Sequence, residues 1–404
     1  MILLWLYLLA YLLLPVIGEI VVYITNEHIY AGEVSINLIY NHFIFVSLLI
    51  ISAFFIQSYK YKHTNNKILL YSYSNIYIFN NAIIYLLFIA LLIFSTSGYQ
   101  FLVLGIDRGH IRTSLGVLGP IFTLFLGYIV VAMLIYVSVI YTYLSNYEKK
   151  IYRNKVLIIF ILVIFISIFS GYKSAIASLM IPMFIVFYFN NLNLKKLLFF
   201  ITITILLLTL FTSLVRDINL LQAFSFLIHR LTTMTAYGTI GAWNSFDEGA
   251  NLNDIWINFL GIYGKNISSS LLSLEPNSLE FLKTNLSRLV TYYTYPDAQG
   301  ALGGTVNVTV TCFGHAIYIL GKKLYFIYAI LLGIILGIFI RLFRNYVNKA
   351  DAFRASLVGV WLFSIMLPIF NSGSIFMLFG LFNLIYFILT LLFMIFFRKR
   401  IKFV

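Results

Sequence analysis

Long apolar stretches separated by short polar loops run along the whole chain. A helix that crosses a bilayer needs about 20 apolar residues, because backbone amides in hydrocarbon must find partners within their own helix. Stretches of this kind are found at 2–24, 39–58, 77–97, 119–145, 155–171, 174–190, 197–215, 324–340, 355–370 and 375–397. The pattern predicts an all-α protein, a polytopic integral membrane helical bundle with ten transmembrane helices.

The composition agrees with this pattern. Hydrophobic residues make up 62% of the 404 positions, charged residues make up 10%, and the mean hydropathy is +0.97. These values exclude an ordinary soluble globular domain. The formal net charge of +14 comes from basic residues between the apolar stretches. We therefore interpret the charge as a signal of membrane topology and not of nucleic-acid binding.

The basic residues cluster in alternate loops. With the amino terminus in the cytoplasm, the predicted cytoplasmic segments contain 17 of the 27 basic residues, but only Glu148 and Asp351 among the 13 acids. Cytoplasmic loops are enriched in Lys and Arg, so this orientation, with both termini cytoplasmic, is the one that the sequence favours. The 17 are Lys60, Lys62, Lys67, Lys149, Lys150, Arg153, Lys155, Lys195, Lys196, Arg341, Arg344, Lys349, Arg354, Arg398, Lys399, Arg400 and Lys402.

One loop is much longer than the others. The chain divides into 1–215 with transmembrane helices 1–7, a large outer loop at 216–323, and 324–404 with helices 8–10 and a basic tail. A loop of this length is typical of a functional segment, and its Trp and Tyr residues predict short interfacial helices. Within it, 307–320 is too short to cross comfortably. We expect a re-entrant or surface helix there, with Lys322 and Lys323 at headgroup level.

The first apolar segment is a retained helix or, alternatively, a cleaved signal peptide, and its Glu19 is expected to be hydrated near the surface.

Some chemistries find no support in the sequence. The single cysteine, Cys312, excludes an internal disulfide. The six His residues show no metal-binding spacing, and no phosphate-cradling GxxxxGK[ST] motif is present. We therefore expect neither a metal nor another cofactor.

Two cations on the predicted outer side point to an anionic ligand. Lys173 lies in a minimal turn between apolar stretches, where it either binds an anionic headgroup or extends to the surface as a snorkelling side chain. Arg230 lies in an apolar run, where its charge needs an anion. That anion is either structural, such as Asp217 or Asp247, or the phosphate of a substrate.

The segments GYKSAIASLM (171–180), VRDINLLQAFSFLIHR (215–230) and GGTVNVTVTCFGHAIYILGKKLYFIYAILLG (303–333), with the overall architecture, resemble the Wzy-type O-antigen polymerases. Members carry arginines in outer loops with an R-x10-G spacing. Arg108 with Gly119 and Arg230 with Gly241 fit this spacing, whereas Arg288 misses it by one position.

The resemblance implies a metal-independent glycosyltransferase of polysaccharide biosynthesis in the bacterial inner membrane, with its active site facing the periplasm. Such an enzyme moves a glycan held on undecaprenyl diphosphate onto the terminal sugar of another lipid-linked repeat unit. The implied partners are that lipid-linked oligosaccharide, membrane lipids and a chain-length regulator protein, but no nucleic acid. The enzyme has to stabilise a departing lipid diphosphate and deprotonate a sugar hydroxyl.

The resemblance also suggests roles for individual residues. The candidate contacts to diphosphate or anionic glycan are Lys173, Arg216, Arg230, Arg288, Arg108 and Arg112. The candidate catalytic bases are His315, which is alternatively a buried structural histidine, and then Asp247, Glu248 and Asp297.

Three alternative functions remain. A flippase or transporter of lipid-linked oligosaccharides would share the hydrophobicity and the cations, although internal repeats and midplane charges are not evident. An O-antigen ligase would use the same donor and differ only in its acceptor. A membrane scaffold without enzymatic activity would tolerate loss of the cations.

Overall fold

The computed structural model describes residues 2–25, 31–58, 76–98, 118–169, 175–189, 217–295 and 308–398, with scattered positions between 195 and 213 and at 300 and 302. Among these residues the secondary structure is entirely helical. This confirms the predicted all-α class.

The helices fall into three groups along the chain. The first group contains α1 (Ile2–Thr25), α2 (Ile36–Ser58), α3 (Ile76–Ile93), α4 (Leu118–Leu124), α5 (Val130–Thr142), α6 (Asn146–Phe169) and α7 (Ala175–Phe187). The second contains α8 (Leu220–Leu231), α9 (Thr233–Ser245), α10 (Leu252–Leu260), α11 (Lys265–Leu272), α12 (Leu279–Leu282) and α13 (Leu286–Thr294). The third contains α14 (Cys312–Asn348), α15 (Ala352–Val360), α16 (Leu367–Ser372) and α17 (Leu381–Phe397).

Short segments of tighter or wider helix join several of these elements. Wider π-type turns extend α3 over Phe94–Gly98, link α4 to α5 over Phe125–Ile129, and link α15 to α16 over Trp361–Met366. Turns of 3₁₀ helix follow α10 at Gly261–Tyr263 and precede α17 at Ile375–Phe379. Because of these links, α4 with α5 and α15 with α16 form two nearly continuous apolar helices.

Six helical runs in the described part of the chain are long and apolar enough to cross a membrane. They are Ile2–Thr25, Ile36–Ser58, Tyr77–Thr96, Gly119–Thr142, Cys312–Asn348 and Ala352–Phe370. Large apolar side chains such as Phe55 and Leu91 stand exposed on them, as expected for surfaces in contact with lipid. The protein is therefore a helical membrane protein, while the count of ten spans and the orientation stay predictions.

Helix α5 lies at the centre of the bundle. Every residue from Val130 to Ile140 is buried, because α3, α7 and α15 pack around it. A helix that is apolar on all sides is stable only when it is enclosed in this way, either by protein or by lipid. The all-round apolar sequence of α5 thus explains its central position.

Helices α2 and α14 make the most extensive contact in the described part of the chain. Gly333 and Gly337 of α14 face α2, where an added methyl group would lie 2.4 Å from the Leu49 carbonyl oxygen and 2.6 Å from that of Ala53. Small residues four apart allow two membrane helices to approach closely enough for tight van der Waals packing. Their spacing in the sequence is thus explained by packing.

Glu19 of α1 contradicts the expectation that it is hydrated. Its side chain is buried, and its Oε1 lies 2.6 Å from Nδ1 of the buried His42 on α2. The His42 ring stacks on Phe313 of α14, with 4.5 Å between ring centroids. The prediction was wrong because it used the position of Glu19 along α1 and could not include the helices that cover it.

The region predicted to be a large outer loop contains the short helices α8 to α13. Helix α8 begins with Asn219 and Gln222 in a capping box, in which each side chain bonds the other residue's backbone N–H. Its exposed positions include the apolar Leu221, Phe224 and Ile228. This exposed apolar face is typical of a helix that lies at a membrane interface.

Candidate active site

Helix α14 is interrupted near its beginning. Gly321 adopts φ 71° and ψ 176°, which separates a short first part from the long part that follows. The residues from Cys312 to Tyr318 in the first part are all buried. A separate short helix is present here, as expected. Its burial against α2 and α9 contradicts the surface alternative, while the re-entrant alternative stays a prediction.

The loop after α9 satisfies the backbone groups that the interruption releases. The Ala250 N–H donates to the Tyr318 carbonyl at 2.6 Å, and the Lys322 N–H donates to the Asp247 carbonyl at 3.1 Å. Unpaired backbone groups are costly in an apolar environment. The loop therefore makes the interruption of α14 stable.

Two of the predicted catalytic acids lie in this loop. The Asp247 carboxylate pairs with the Lys322 ammonium, which also lies 4.5 Å from the centroid of the Trp243 ring. Both Asp247 and Glu248 are exposed. Asp247 thus has a structural part in closing the interruption, and Lys322, expected at headgroup level, is held by that carboxylate and an aromatic face.

His315 projects from the short first part of α14 and is fully buried. Its Nε2 lies 2.9 Å from Asn258 Oδ1, and its Nδ1 lies 3.0 Å from the Tyr328 hydroxyl. The Asn258 amide nitrogen donates to the Lys283 carbonyl at 2.9 Å, so its oxygen faces Nε2 and accepts the Nε2 hydrogen. His315 therefore links α10, the turn before α13 and the long part of α14.

The Tyr328 hydroxyl has three partners within hydrogen-bond distance. It accepts from the Ile375 N–H at 2.8 Å and lies 3.0 Å from both His315 Nδ1 and the Gly373 carbonyl. Its single hydrogen can point to Nδ1 when that nitrogen is bare, or to Gly373 when Nδ1 carries a hydrogen. The Tyr328 hydroxyl can thus serve either tautomer of His315, whereas the contact with Asn258 Oδ1 favours hydrogen on Nε2.

A cavity of about 410 Å³ borders His315. It lies between the turn after α10, the turn before α13, and the segment that joins α16 to α17. The side chains of Ile262, Met377 and Phe382 contribute apolar surface. The polar lining consists of Asn258, Thr284, Asn285, Ser287, Ser374 and Asn383. Pockets of this size that combine apolar surface with a few convergent polar groups are typical of small-molecule sites.

One hydroxyl in the lining has no hydrogen-bond partner among the described residues. Ser374 Oγ is buried and makes no hydrogen bond. By contrast, Asn383 accepts from the Tyr128 hydroxyl at 2.6 Å and donates to the Met377 carbonyl at 2.7 Å. Asn383 is thus held in place by protein groups, whereas the Ser374 hydroxyl is not.

Cations next to the cavity are engaged with protein groups. Lys283 lies 2.7 Å from Asp254 and 3.4 Å from Glu280, and the hydrogen bond to Asp254 raises the pKa of its ammonium group. The Arg288 guanidinium donates to the Leu302 carbonyl, and partial burial lowers its pKa. Arg288, a predicted diphosphate contact, thus binds the protein backbone in this state.

Among the remaining predicted site residues, the structure describes only Arg230. Arg230 is exposed on the last turn of α8, where a cation is favoured by the helix dipole, and not enclosed by apolar groups as its sequence suggested. Lys173, Arg216, Arg108, Arg112 and Asp297 lie outside the described residues. The structure therefore brings only His315, among the predicted site residues that it describes, to the cavity.

The sequence analysis missed Asn258, Tyr328, Ser374 and Asn383. The one available signal was a polar side chain within an otherwise apolar stretch, as for Asn258 in IWINFL. Many such residues are merely structural, so the signal is weak without the fold. For metal binding, no group of three or more His, Cys, Asp and Glu side chains comes together in the described ranges.

Comparisons with protein-family models, with curated proteins and with solved structures give no match for this chain.

Proposed function

We propose that the protein is a membrane glycosyltransferase that polymerises lipid-linked oligosaccharide repeat units. The observation that supports this best is the cavity bordered by His315, which is lined by amides and hydroxyls and formed where the short middle helices meet α14 and α17. Sugars present many hydroxyl groups, each of which both donates and accepts. Such a lining suits a glycan at the boundary between the membrane helices and the predicted outer region.

In the proposed reaction, a hydroxyl of the acceptor sugar attacks the anomeric carbon of the donor glycan. The bond from that carbon to the diphosphate oxygen breaks, and the lipid diphosphate leaves with the electron pair. The hydroxyl proton passes to a base. Cations of the outer region, Arg230 among them, stabilise the charge on the departing diphosphate. No nucleotide takes part, because the cleaved sugar–diphosphate bond supplies the free energy.

His315 is the proposed base, and its surroundings define how it acts. As observed, Nε2 faces Asn258, so a substrate hydroxyl has to displace the Asn258 amide oxygen to reach it. The tautomer with hydrogen on Nδ1 is supported by Tyr328, which then donates to Gly373. In that tautomer Nε2 is an open acceptor for the hydroxyl proton.

Deletion of the gene tests the proposal. A surface polysaccharide capped by a single repeat unit is the expected result for a polymerase. Complete loss of the polysaccharide, with lipid-linked material accumulating, would instead identify an O-antigen ligase or a flippase. An unchanged polysaccharide would exclude all three functions.

Complementation of the deletion strain tests the role of the outer cations. We expect Arg230→Ala to give single-unit caps at normal protein abundance. Arg354→Ala removes an exposed cation from the predicted cytoplasmic face and should restore full-length chains. Full-length chains from Arg230→Ala would contradict the assignment of Arg230 to the diphosphate.

A further inference from the structure

Among the residues that the structure describes, the polar lining of the cavity is made of neutral groups. Amides come from Asn258, Asn285 and Asn383, hydroxyls come from Thr284, Ser287 and Ser374, and the imidazole of His315 completes the set. Amides and hydroxyls exchange hydrogen bonds with sugar hydroxyls in either direction. A carboxylate, in contrast, needs a counter-ion or several donors when it leaves water.

Three cations flank the lining along the chain, and each donates to an acceptor within the protein. They are Lys265 with Asn277 at 3.1 Å, Lys283 with Asp254 at 2.7 Å, and Arg288 with the carbonyl of Leu302. A carboxylate in the cavity would have to compete with these acceptors for a counter-ion. An uncharged sugar would leave all three contacts intact.

The Ser374 hydroxyl gives a second argument for a bound sugar. Its hydroxyl is buried in the lining without a partner, whereas the neighbouring Asn383 amide is fixed by Tyr128 and Met377. Rotation of this side chain towards the cavity would let a sugar hydroxyl satisfy it. The ring of Phe382 offers an apolar surface for the apolar face of the same sugar.

We propose that the cavity binds an uncharged sugar unit of the lipid-linked glycan and disfavours acidic sugars, an inference that rests on the proposed function. The discrimination follows from the neutral lining, from the engaged cations around it, and from the unpartnered hydroxyl of Ser374. The anionic diphosphate would then be bound at the edge of this cavity by cations that do not belong to the described lining.

Protection of an introduced thiol tests this inference in the full-length protein in membranes. The only natural cysteine, Cys312, is buried, so Ser374→Cys places one reactive thiol in the cavity. Its rate of modification by the uncharged reagent methyl methanethiosulfonate is measured with and without sugar probes. The probes are neutral methyl hexopyranosides and, for each, the corresponding methyl uronate, which differs by a carboxylate.

We expect at least one neutral glycoside to slow the modification about threefold when present at about twice its dissociation constant, while its uronate has little effect. Ser287→Cys provides a second reporter in the lining if the first variant does not fold. Ser270→Cys is the control, because Ser270 is exposed on α11 and lies outside the lining. Its modification should be unaffected by either probe.

Equal or stronger protection by the uronates would overturn the inference, and so would absence of protection by every neutral glycoside. Failure of the proposed function has a different signature. In that case, gene deletion leaves the surface polysaccharide unchanged while selective protection by a neutral glycoside persists.

Discussion

At the scale of single residues, the buried Glu19–His42 pair carries a desolvation cost within the membrane helices. The two side chains approach to 2.6 Å, and Glu19 Oε2 has no hydrogen-bond partner among the described residues. Removing one member of such a pair leaves the other buried without compensation, whereas replacing both with apolar groups is often neutral. The stability of the protein therefore depends on the two residues together and not on either one alone.

We expect Glu19→Leu to lower the free energy of unfolding by about 3–5 kcal/mol. The double variant Glu19→Leu/His42→Phe should recover most of this loss, since no isolated polar group then remains. Denaturant unfolding of the purified protein in detergent measures both values. Equal stability of the single and double variants would show that the two side chains are not coupled.

Tyr328 supports a second prediction at this scale. Tyr328→Phe leaves the Ile375 N–H without its acceptor and removes the partner of His315 Nδ1, so we expect a loss of about 1–3 kcal/mol and shorter polysaccharide chains. Tyr325→Phe on the same helix removes only a bond to Asn41. This control should retain normal chain length. Chains of normal length from Tyr328→Phe, at equal protein abundance, would argue against a role for the Tyr328–His315 contact.

At the scale of helices, the interruption of α14 depends on a glycine. Gly321 has a positive φ of 71°, and an added methyl group would lie 2.7 Å from the Glu248 carbonyl carbon. Both the backbone strain and the clash oppose any larger residue, with strain alone costing about 1–3 kcal/mol. Gly321→Ala should therefore destabilise the protein and loosen the first part of α14.

Gly119→Ala is the matched control, because an added methyl group at Gly119 meets no atom within 4 Å. Thermal unfolding of the two variants should show a lower midpoint for Gly321→Ala only. Limited proteolysis should likewise detect cleavage near residue 321 in that variant. If both variants unfold at the same temperature, the conformation of Gly321 is not required.

Much of the helical organisation was predictable because it follows from local patterns. The apolar stretch 2–24 corresponds to α1, and 39–58 falls within α2. The short segment before Lys322 was recognised as a separate unit from its length and the charge rule. What covers it was not predictable, since the loop 247–250 reaches the interruption only through the tertiary fold.

At the scale of the whole molecule, the cavity illustrates what a single sequence does not reveal. Its lining combines segments around residues 258–264, 284–287 and 374–383 with His315. Each segment contains ordinary Asn, Ser or Thr residues without a motif. The sequence points to His315 because FGHAIY lies on the short apolar segment that returns to the membrane, near the expected position of a lipid headgroup. Its partners Asn258 and Tyr328 depend on contacts across 57 and 13 positions.

The orientation of the whole molecule yields the last prediction. The excess of basic residues in alternate loops predicts that the segment containing α8 to α13 lies outside and that the turn between α5 and α6 lies in the cytoplasm. Ser270→Cys on α11 and Tyr147→Cys on α6 both put a thiol at an exposed position. Because Cys312 is buried, labelling reports the introduced thiol.

A membrane-impermeant maleimide should modify the Ser270→Cys variant in cells with a permeable outer envelope and an intact inner membrane. The Tyr147→Cys variant should react only after the inner membrane is disrupted. The reverse pattern would place the cavity's short helices in the cytoplasm, where nucleotide sugars are available, and would remove the reason for a donor carried on lipid diphosphate.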